Sequence, residues 1–329
     1  MGKDSRLLYT SVMSMTRRDF LAASAATALA GAISRPAGAH AWQGQAPAQT
    51  PAPPTPVFTP IRGNVGCFTM RGGTIGYLID PKAIVVVDSQ YRDAAKVCLD
   101  GLRERSQNQP VEFLINTHHH ADHTDGNVVF KGVAKQVVAQ AKAAEDMHNP
   151  PGVGAPTTEQ LYPDKTFTDT WTGTAGSERI RAKFYGRAHT SGDVVVTFER
   201  ANVVHMGDLM FNQRHAIVDR AAGASMRHWM DVVEKALKDH DKETVYIFGH
   251  VNTNLPVTGD RSVMVQFHDY LGSVLAFVQA QMKAGKSRDE IVAMRDPLKG
   301  FESFGRFPAP AATNPRDPLT CAYEELSAK

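Results

Sequence analysis

Cysteine is scarce in this chain, which has three such residues among 329: Cys67, Cys98 and Cys321. Three thiols cannot build a disulfide framework, and none of the three lies at a spacing typical of metal ligands. Cys98 falls in an apolar helical stripe with Ala94, Ala95 and Leu102, which predicts a core position. The sequence therefore does not indicate a disulfide-rich scaffold.

The chain also lacks an excess of either charge, with 36 Lys and Arg against 34 Asp and Glu. The first 41 residues carry five positive and two negative side chains, which leaves the remainder with a net charge of −1. Because no basic stripe is present, we expect no nucleic-acid partner. A hydrophobic content of 42% and a charged content of 21% are typical of a globular protein.

A long apolar run that could form a stable membrane span is missing as well. The uncharged stretch at positions 20–33 is mildly apolar and too short to cross a bilayer. It follows the twin-arginine pattern T-R-R-D-F-L at positions 16–21, and small residues follow it. Residues 1–41 are therefore predicted to be a twin-arginine signal peptide, with an amphipathic N-terminal helix as the alternative.

That signal predicts export of the folded protein through the twin-arginine translocation (Tat) machinery of a bacterium, and hence a periplasmic or secreted location. The next segment, residues 42–60, is rich in Pro and Ala and has no charge, which predicts a disordered linker. We expect the folded domain to occupy residues 61–329.

One short segment concentrates the groups that bind metals. Residues 117–127 read T-H-H-H-A-D-H-T-D-G-N, with four His and two Asp in eight positions. Imidazole and carboxylate suit Zn or Fe. The apolar run V-E-F-L-I-N at 111–116 predicts a buried strand directly before it, so the cluster lies at the carboxyl end of a strand.

The spacing H-x-H-x-D-H is formed by His118, His120, Asp122 and His123. In a tight loop alternate residues can point the same way, so His118 and His120 can hold one metal, while Asp122 and His123 face a neighbouring one. His119 falls outside this pattern and is not expected to be a ligand. A His-rich solvated loop is the alternative interpretation.

The motif resembles the signature of the metallo-β-lactamase superfamily, and the resemblance extends over most of residues 61–255. Further motifs occur in the order used by that family: G-N-V at 63–65, I-V-V-V-D-S at 84–89, A-H-T-S-G-D at 188–193, M-G-D-L-M-F at 206–211 and F-G-H at 248–250. The resemblance implies an α/β fold, a four-layer αβ/βα sandwich of two mixed β-sheets with the metals at one edge.

The resemblance also implies a binuclear site. His189 would complete the first metal site with His118 and His120, and His250 would complete the second with Asp122 and His123. Asp208 would bridge the two metals, and Asp88 would lie buried behind them, orienting ligands. Two Zn²⁺ per chain are expected, with Fe or mixed Zn/Fe as the alternative.

The function implied is a binuclear metal-dependent hydrolase, in which a metal-bridging hydroxide attacks an ester, thioester, lactone or similar bond of a small molecule. Asp122 and Asp208 are the predicted catalytic carboxylates, and the leaving-group acid is either Asp122 or a bound water. A β-lactamase is the first alternative, although true metallo-β-lactamases usually carry Cys or Ser in the segment equivalent to Asp208. The Asp of this chain resembles that of the glyoxalase II, lactonase, phosphodiesterase and alkylsulfatase members. A mononuclear Fe persulfide dioxygenase-like enzyme and a non-catalytic metal-binding protein are the others.

The remaining pattern predicts the supporting elements. Three antiparallel strands are predicted at 64–70, 74–80 and 83–88, strands of a second sheet at 165–172 and 179–185, and a helix from the Ser225 cap to residue 240. Helices are predicted at 259–285 and 287–294, followed by a loop-rich tail beyond Pro297. Loops at 149–158 and 212–225 are candidates for the substrate pocket, and no motif identifies the substrate.

Overall fold

The computed structural model describes residues 54–152, 158–313 and 315–328. The predicted signal peptide and residues 42–53 of the predicted linker lie outside the described residues, as do positions 153–157 of the loop predicted at 149–158.

The first sheet has seven strands in sequence order. The antiparallel part contains β1 (Val57–Arg62), β2 (Val65–Thr69), β3 (Ile75–Asp80) and β4 (Ala83–Val87). Parallel pairing continues from β4 to β5 (Val111–Asn116), β6 (Ala134–Gln140) and β7 (Lys165–Phe167). Strand β4 is buried along its whole length, which explains its uninterrupted apolar sequence A-I-V-V-V.

The second sheet has six strands in the order β15-β13-β11-β10-β9-β8. Its members are β8 (Thr170–Ala175), β9 (Glu178–Phe184), β10 (Val194–Phe198), β11 (Val203–His205), β13 (Val245–Ile247) and β15 (Thr258–Gly259). The β11–β13 pair is parallel and the others are antiparallel. A two-stranded parallel ribbon joins β12 (Phe211–Asn212) to β14 (His250–Val251).

In the described part of the chain, seven α-helices surround the sheets: α1 (Arg92–Ser106), α2 (Ala121–Thr124), α3 (Ala141–His148), α4 (Met226–Asp239), α5 (Arg261–Lys283), α6 (Arg288–Val292) and α7 (Pro318–Ser327). Ser225 caps α4 as predicted, because its side chain accepts a hydrogen bond from the backbone N–H of His228. Among the described residues, no helix is long and apolar enough to cross a membrane.

Three apolar cores hold these layers together. Val85, Val87 and Ile115 of the first sheet pack against Val196 and Ile247 of the second. On the outer face of the first sheet, Ile84 and Val86 of β4 and Val111 and Leu114 of β5 pack against α1. On the outer face of the second, Val204 and Tyr246 meet Trp229 of α4 and Phe267 of α5. The predicted αβ/βα sandwich is confirmed.

The end of the predicted linker is a strand, which corrects that prediction for residues 57–60. Phe58 of β1 packs against Phe68, with ring centroids 4.7 Å apart, and against Tyr77. Strand β1 lies at the edge of the sheet, where a proline such as Pro60 is tolerated because one side of the strand needs no partner.

Two further predictions are wrong in detail. The strand predicted at 165–172 is divided by a bend at Thr168 and Asp169, so β7 joins the first sheet and β8 the second. The tail beyond Pro297 contains the helix α7, whose N-cap is Asp317 and whose first residue is Pro318.

Candidate metal centre

The metal-binding segment, residues 117–127, follows β5 and contains the short helix α2. His118, His119 and His120 occupy the turn after β5, and α2 begins at Ala121, which places Asp122 and His123 in its first turn. The turn is fixed from behind by Asp88, whose Oδ1 accepts the backbone N–H of Thr117 at 2.8 Å. The two ligand pairs therefore arise from two backbone conformations, an extended turn and a helical one.

Three imidazoles converge in the first half-site, His118, His120 and His189. Nδ1 of His120 lies 3.1 Å from Nε2 of His118 and 2.9 Å from Nε2 of His189. The rings of His118 and His189 are fully buried, and 11% of the His120 side chain is exposed. The structure thus brings together the three residues predicted for the first metal.

Asp122, His123 and His250 form the second half-site. Oδ2 of Asp122 lies 3.1 Å from Nε2 of His250 and 3.8 Å from Nε2 of His123. His250 arrives from the end of β13 through Gly249, and His123 is fully buried. Asp122 is the most open member, with 25% of its side chain exposed.

The Asp208 carboxylate lies between the two half-sites. Its Oδ1 is 3.0 Å from Nε2 of His123, and its Oδ2 is 3.3 Å from Nε2 of His250 and 3.5 Å from Nε2 of His189. Glycine is required beside it, because a Cβ at Gly249 would collide with Oδ1 of Asp208. One carboxylate therefore reaches residues of both predicted metal sites.

The donor set fits metal ions. His118, His120, His189 and Asp208 form one group whose candidate ligand atoms lie within 4.8 Å of one another, and Asp122, His123 and His250 form another. Among the described residues, Nε2 of His123 and Oδ1 of Asp208 are buried and lie 3.0 Å apart, but their geometry is not that of a hydrogen bond and neither has another partner. Unpartnered buried polar atoms are costly, so a cation that binds both would remove this cost.

In four imidazoles, the ring nitrogen that points away from the cluster faces a hydrogen-bond acceptor. That nitrogen therefore carries the proton, and the other ring nitrogen presents its lone pair to the cluster. The contacts are His118 Nδ1 to Thr117 Oγ1 (3.0 Å), His120 Nε2 to Asp219 Oδ2 (2.9 Å), His123 Nδ1 to Asp88 Oδ2 (2.7 Å) and His189 Nδ1 to the Ile217 carbonyl (2.6 Å). His250 differs, since its Nδ1 lies 3.4 Å from Nη1 of Arg214, which is only a donor.

Two imidazoles of the first half-site, those of His118 and His189, favour their neutral form. Burial lowers the pKa of His189 to about 3. Burial, together with the neighbouring His123, also holds the pKa of His118 well below its usual range. Because only a neutral imidazole can bind a metal, these two side chains are ready to act as ligands at neutral pH.

The second half-site is an ionic cluster in its metal-free form. Burial disfavours a charged His123, but the carboxylates of Asp208, Asp88 and Asp122 outweigh this effect and raise its pKa well above the usual range. The same balance of burial and Asp208 raises the pKa of His250 to about 8. Burial alone would raise the pKa of Asp208, but His250 and His123 hold it well below its usual range.

His119 lies beside the cluster rather than in it. Its ring is 5% exposed and lies 4.6 Å from that of His120, centroid to centroid. Burial lowers its pKa to about 3, and its Nδ1 has no hydrogen-bond partner among the described residues. It can share a cation only with His120 and Asp219, a group separate from the two half-sites.

Several supporting residues were not predicted from the sequence. Asp219 lies in a loop that was predicted to be near the substrate, yet its carboxylate orients His120 and pairs with Arg316 Nη2 at 2.7 Å. His205 accepts the Gly207 N–H at 3.1 Å and so holds the turn that carries Asp208. No sequence signal links Arg316 to the site. Thr117 could have been identified, because it directly precedes the run of three His.

Comparison with known proteins identifies the class. The family model of the metallo-beta-lactamase superfamily matches residues 70–250, more than half of the chain. The chain therefore belongs to the metallo-beta-lactamase superfamily, and it is a hydrolase with a cluster of His and Asp residues suited to metal ions.

Two curated relatives lie within that family. The chain is 25% identical to the metallo-beta-lactamase IND-1 of Chryseobacterium indologenes over 174 residues, which is 53% of this chain and 70% of the relative. It is 29% identical to the hydroxyacylglutathione hydrolase of Brucella anthropi over 145 residues, or 44% of this chain and half of that enzyme.

Solved structures share the fold. A metallo-beta-lactamase from Pontibacter korlensis superposes with a TM-score of 0.54 at 21% identity, covering 66% of this chain and 99% of that one. A double mutant of the sec-alkyl sulfatase PisA1 gives a TM-score of 0.62 at 15% identity, covering 83% of this chain and 50% of that one. At these identities the likeness concerns the fold alone.

Proposed function

We propose that the protein is a binuclear metal-dependent hydrolase of an ester, thioester, lactone or similar bond in a small molecule. The observation that carries the proposal is the position of Asp208, whose two oxygens lie within 3.5 Å of His189 on one side and of His123 and His250 on the other. A carboxylate shared in this way supports two neighbouring cations rather than one.

His118, His120 and His189 would hold one ion, Asp122, His123 and His250 the other, and Asp208 both. Nitrogen and carboxylate donors of this kind favour Zn²⁺, with Fe or a mixed Zn/Fe pair as the alternative. When bound, the two cations supply a water of lowered pKa and polarise the oxygen of the scissile bond.

The side chains of the protein would keep the carboxylates ionised and orient the imidazoles. Asp208 and Asp122 stay ionised, because the imidazoles around them outweigh the effect of burial; the pKa of Asp122 is lowered to about 2. A carboxyl group with so low a pKa is ionised near neutral pH, so Asp122 has no proton to give to the leaving group, which favours a bound water as the leaving-group acid. Asp88 and Asp219 hold the imidazoles of His123 and His120 in orientation.

β-Lactam hydrolysis is the second candidate function, and the similarity to IND-1 favours it. Asp208 favours hydrolysis of an ester, thioester or lactone instead, because an Asp at this position resembles the members of the family that are not β-lactamases. The two functions differ in the bond that is cleaved, not in the metal centre.

A substrate panel separates them. Zinc-loaded protein would be assayed with a chromogenic cephalosporin (nitrocefin), a 4-nitrophenyl ester, a thioester and a homoserine-type lactone, with Asp208→Asn as the matched control. We expect turnover of the ester, thioester or lactone that the control loses. Efficient nitrocefin hydrolysis with none of the other three would contradict the leading proposal in favour of the second.

We also propose that residues 1–41 are a twin-arginine signal, that a linker precedes the strand at Val57, and that the mature enzyme is periplasmic or secreted. The support is the T-R-R-D-F-L pattern and the uncharged stretch after it. Expression in a bacterium with a Tat pathway, followed by fractionation and N-terminal sequencing, tests this. Loss of export in an Arg17→Lys, Arg18→Lys variant is expected, and an intact N-terminus on cytosolic protein would overturn the proposal.

A further inference from the structure

The loop after β12, residues 213–225, is held from outside by the C-terminal segment, residues 315–328. The backbone N–H of Val218 donates to the Arg316 carbonyl at 2.9 Å. The Glu325 carboxylate accepts hydrogen bonds from the first two backbone N–H groups of α4, at 2.8 and 3.1 Å. The C-terminal segment therefore fixes this loop at its middle and at its junction with α4.

The same loop supports the first half-site. The Ile217 carbonyl accepts a hydrogen bond from Nδ1 of His189 at 2.6 Å, and the backbone N–H of Asp219 donates to the His189 carbonyl at 3.2 Å. The Asp219 carboxylate lies 2.9 Å from Nε2 of His120. Two of the three imidazoles proposed for the first ion thus depend on the position of residues 217–219.

One side chain of the C-terminal segment reaches this support directly. The side chain of Asp219 is fully buried, and its Oδ2 is shared by Nε2 of His120 at 2.9 Å and Nη2 of Arg316 at 2.7 Å. Its Oδ1 accepts the backbone N–H of Ala222 at 3.2 Å. The carboxylate is therefore held from three directions, and only one of the three partners is a ligand of the proposed ion.

The charge of Arg316 matters because of that burial. Among the described residues, Arg316 is the only Lys or Arg within ion-pair distance of Asp219. A buried carboxylate that loses its cationic partner is strongly disfavoured, so it would shift towards water and release the imidazole that it holds. Arg316 also lies beyond residues 70–250, the part of the chain that matches the family model.

We infer that Arg316 is a positioning residue of the first metal site: its guanidinium holds the Asp219 carboxylate, which holds His120 towards the ion. The C-terminal segment thereby completes a site whose ligands all come from earlier parts of the chain. The inference rests on the first metal site of the proposed function, and it does not depend on which bond the enzyme cleaves.

The test is a double-mutant cycle on metal affinity, which needs no substrate. Metal-free protein would be titrated with Zn²⁺ against a chromophoric chelator as the wild type, Arg316→Gln, Asp219→Asn and the double variant. We expect Arg316→Gln to weaken the first half-site by about tenfold and to leave the second within about threefold. In the Asp219→Asn background the same change should have no further effect, because Arg316 acts through that carboxylate.

Arg288→Gln is the matched control. It also removes a guanidinium that pairs with a carboxylate of α7, since Nη2 of Arg288 lies 3.4 Å from Glu324. We expect its metal affinities to equal those of the wild type. Arg316→Lys keeps the charge without the planar fork, so it should lose less affinity than Arg316→Gln, and it takes the place of Arg316→Gln in the cycle if that variant does not fold.

The outcomes are distinct. Wild-type affinity of the first half-site in Arg316→Gln would overturn the inference. A loss of the same size in the Asp219→Asn background, or in Arg288→Gln, would also overturn it, because Arg316 would then act on the fold and not through Asp219. A wild-type protein that binds no zinc would instead overturn the proposed metal centre, and the inference with it.

Discussion

The two halves of the metal centre are built from different surroundings. In the first, every imidazole has an acceptor behind it, and burial keeps His118 and His189 neutral. In the second, His123 and His250 carry raised pKa values beside carboxylates, and His250 faces Arg214 instead of an acceptor. We therefore expect His118 and His189 to bind an ion without displacing protons and the second half-site to bind its ion more weakly.

Removal of the shared carboxylate should produce the largest effect. Asp208→Ala deletes the carboxylate that reaches both half-sites, so we expect loss of most metal at the second site and a fall in kcat by roughly 10³-fold. Metal analysis and ester turnover would be measured together. Asp208→Asn keeps the shape without the charge and serves as the control; full activity of Asp208→Ala would refute the bridging role.

Substitution of the carboxylates that hydrogen-bond to the metal-binding imidazoles should change the metal affinities of the two half-sites differently. Asp88→Asn weakens the support of His123, and Asp219→Asn that of His120. Asp219→Asn should lower the affinity of the first half-site by about 10- to 100-fold and leave the second within a few-fold. Asp88→Asn should weaken both half-sites, because Asp88 also holds Thr117, which contacts His118. Titration of metal-free protein with Zn²⁺ against a chromophoric chelator measures both constants. Equal weakening of both sites by Asp219→Asn would show that the half-sites are not independent.

The metal affinities of the two half-sites should also depend on pH to different degrees. The pKa of His250 is raised to about 8, so below that pH a proton competes with the second ion. Affinity at this site should rise about tenfold per pH unit for each proton displaced, and His123, whose pKa is raised well above its usual range, adds a second such proton. The first site should depend less on pH, because the pKa values of His118 and His189 are held low. Dialysis at pH 6 should therefore remove one ion per chain, whereas loss of both ions together would contradict the comparison.

His119→Gln should have the smallest effect. His119 is beside the first half-site but is not among its converging nitrogens. We expect two ions to remain bound and kcat/KM to change by less than about tenfold, whereas His118→Gln, the matched substitution one position earlier, should lose the first ion. Loss of an ion in His119→Gln would make His119 a fourth imidazole ligand.

The metal loop and the central strands were predictable because their signals are local. The apolar run at 111–116 defines β5, and the spacing in residues 118–123 places four candidate ligands in one turn. Long-range partners such as His189 and His250 required the resemblance to a family, since a single His in a turn carries no such information by itself.

The outer support of the site was not predictable. Asp219 lies 99 positions from His120, and Arg316 lies a further 97 positions along the chain, so only the fold brings them together. The N-terminal strand β1 was not predicted because it contains a proline and follows a proline-rich segment. Helix α7 was not predicted because a Pro- and Gly-rich segment precedes it. Both elements depend on tertiary packing rather than on local pattern, as the contact of Phe58 with Phe68 illustrates.

The most direct test of the proposed binuclear centre is elemental analysis of freshly purified mature protein that has not been exposed to a chelator. We expect two zinc ions per chain, or one zinc and one iron, with the second ion absent from Asp208→Ala. A single iron per chain, with the second half-site empty in the wild type, would contradict the binuclear hydrolase and direct attention to oxygen-dependent chemistry.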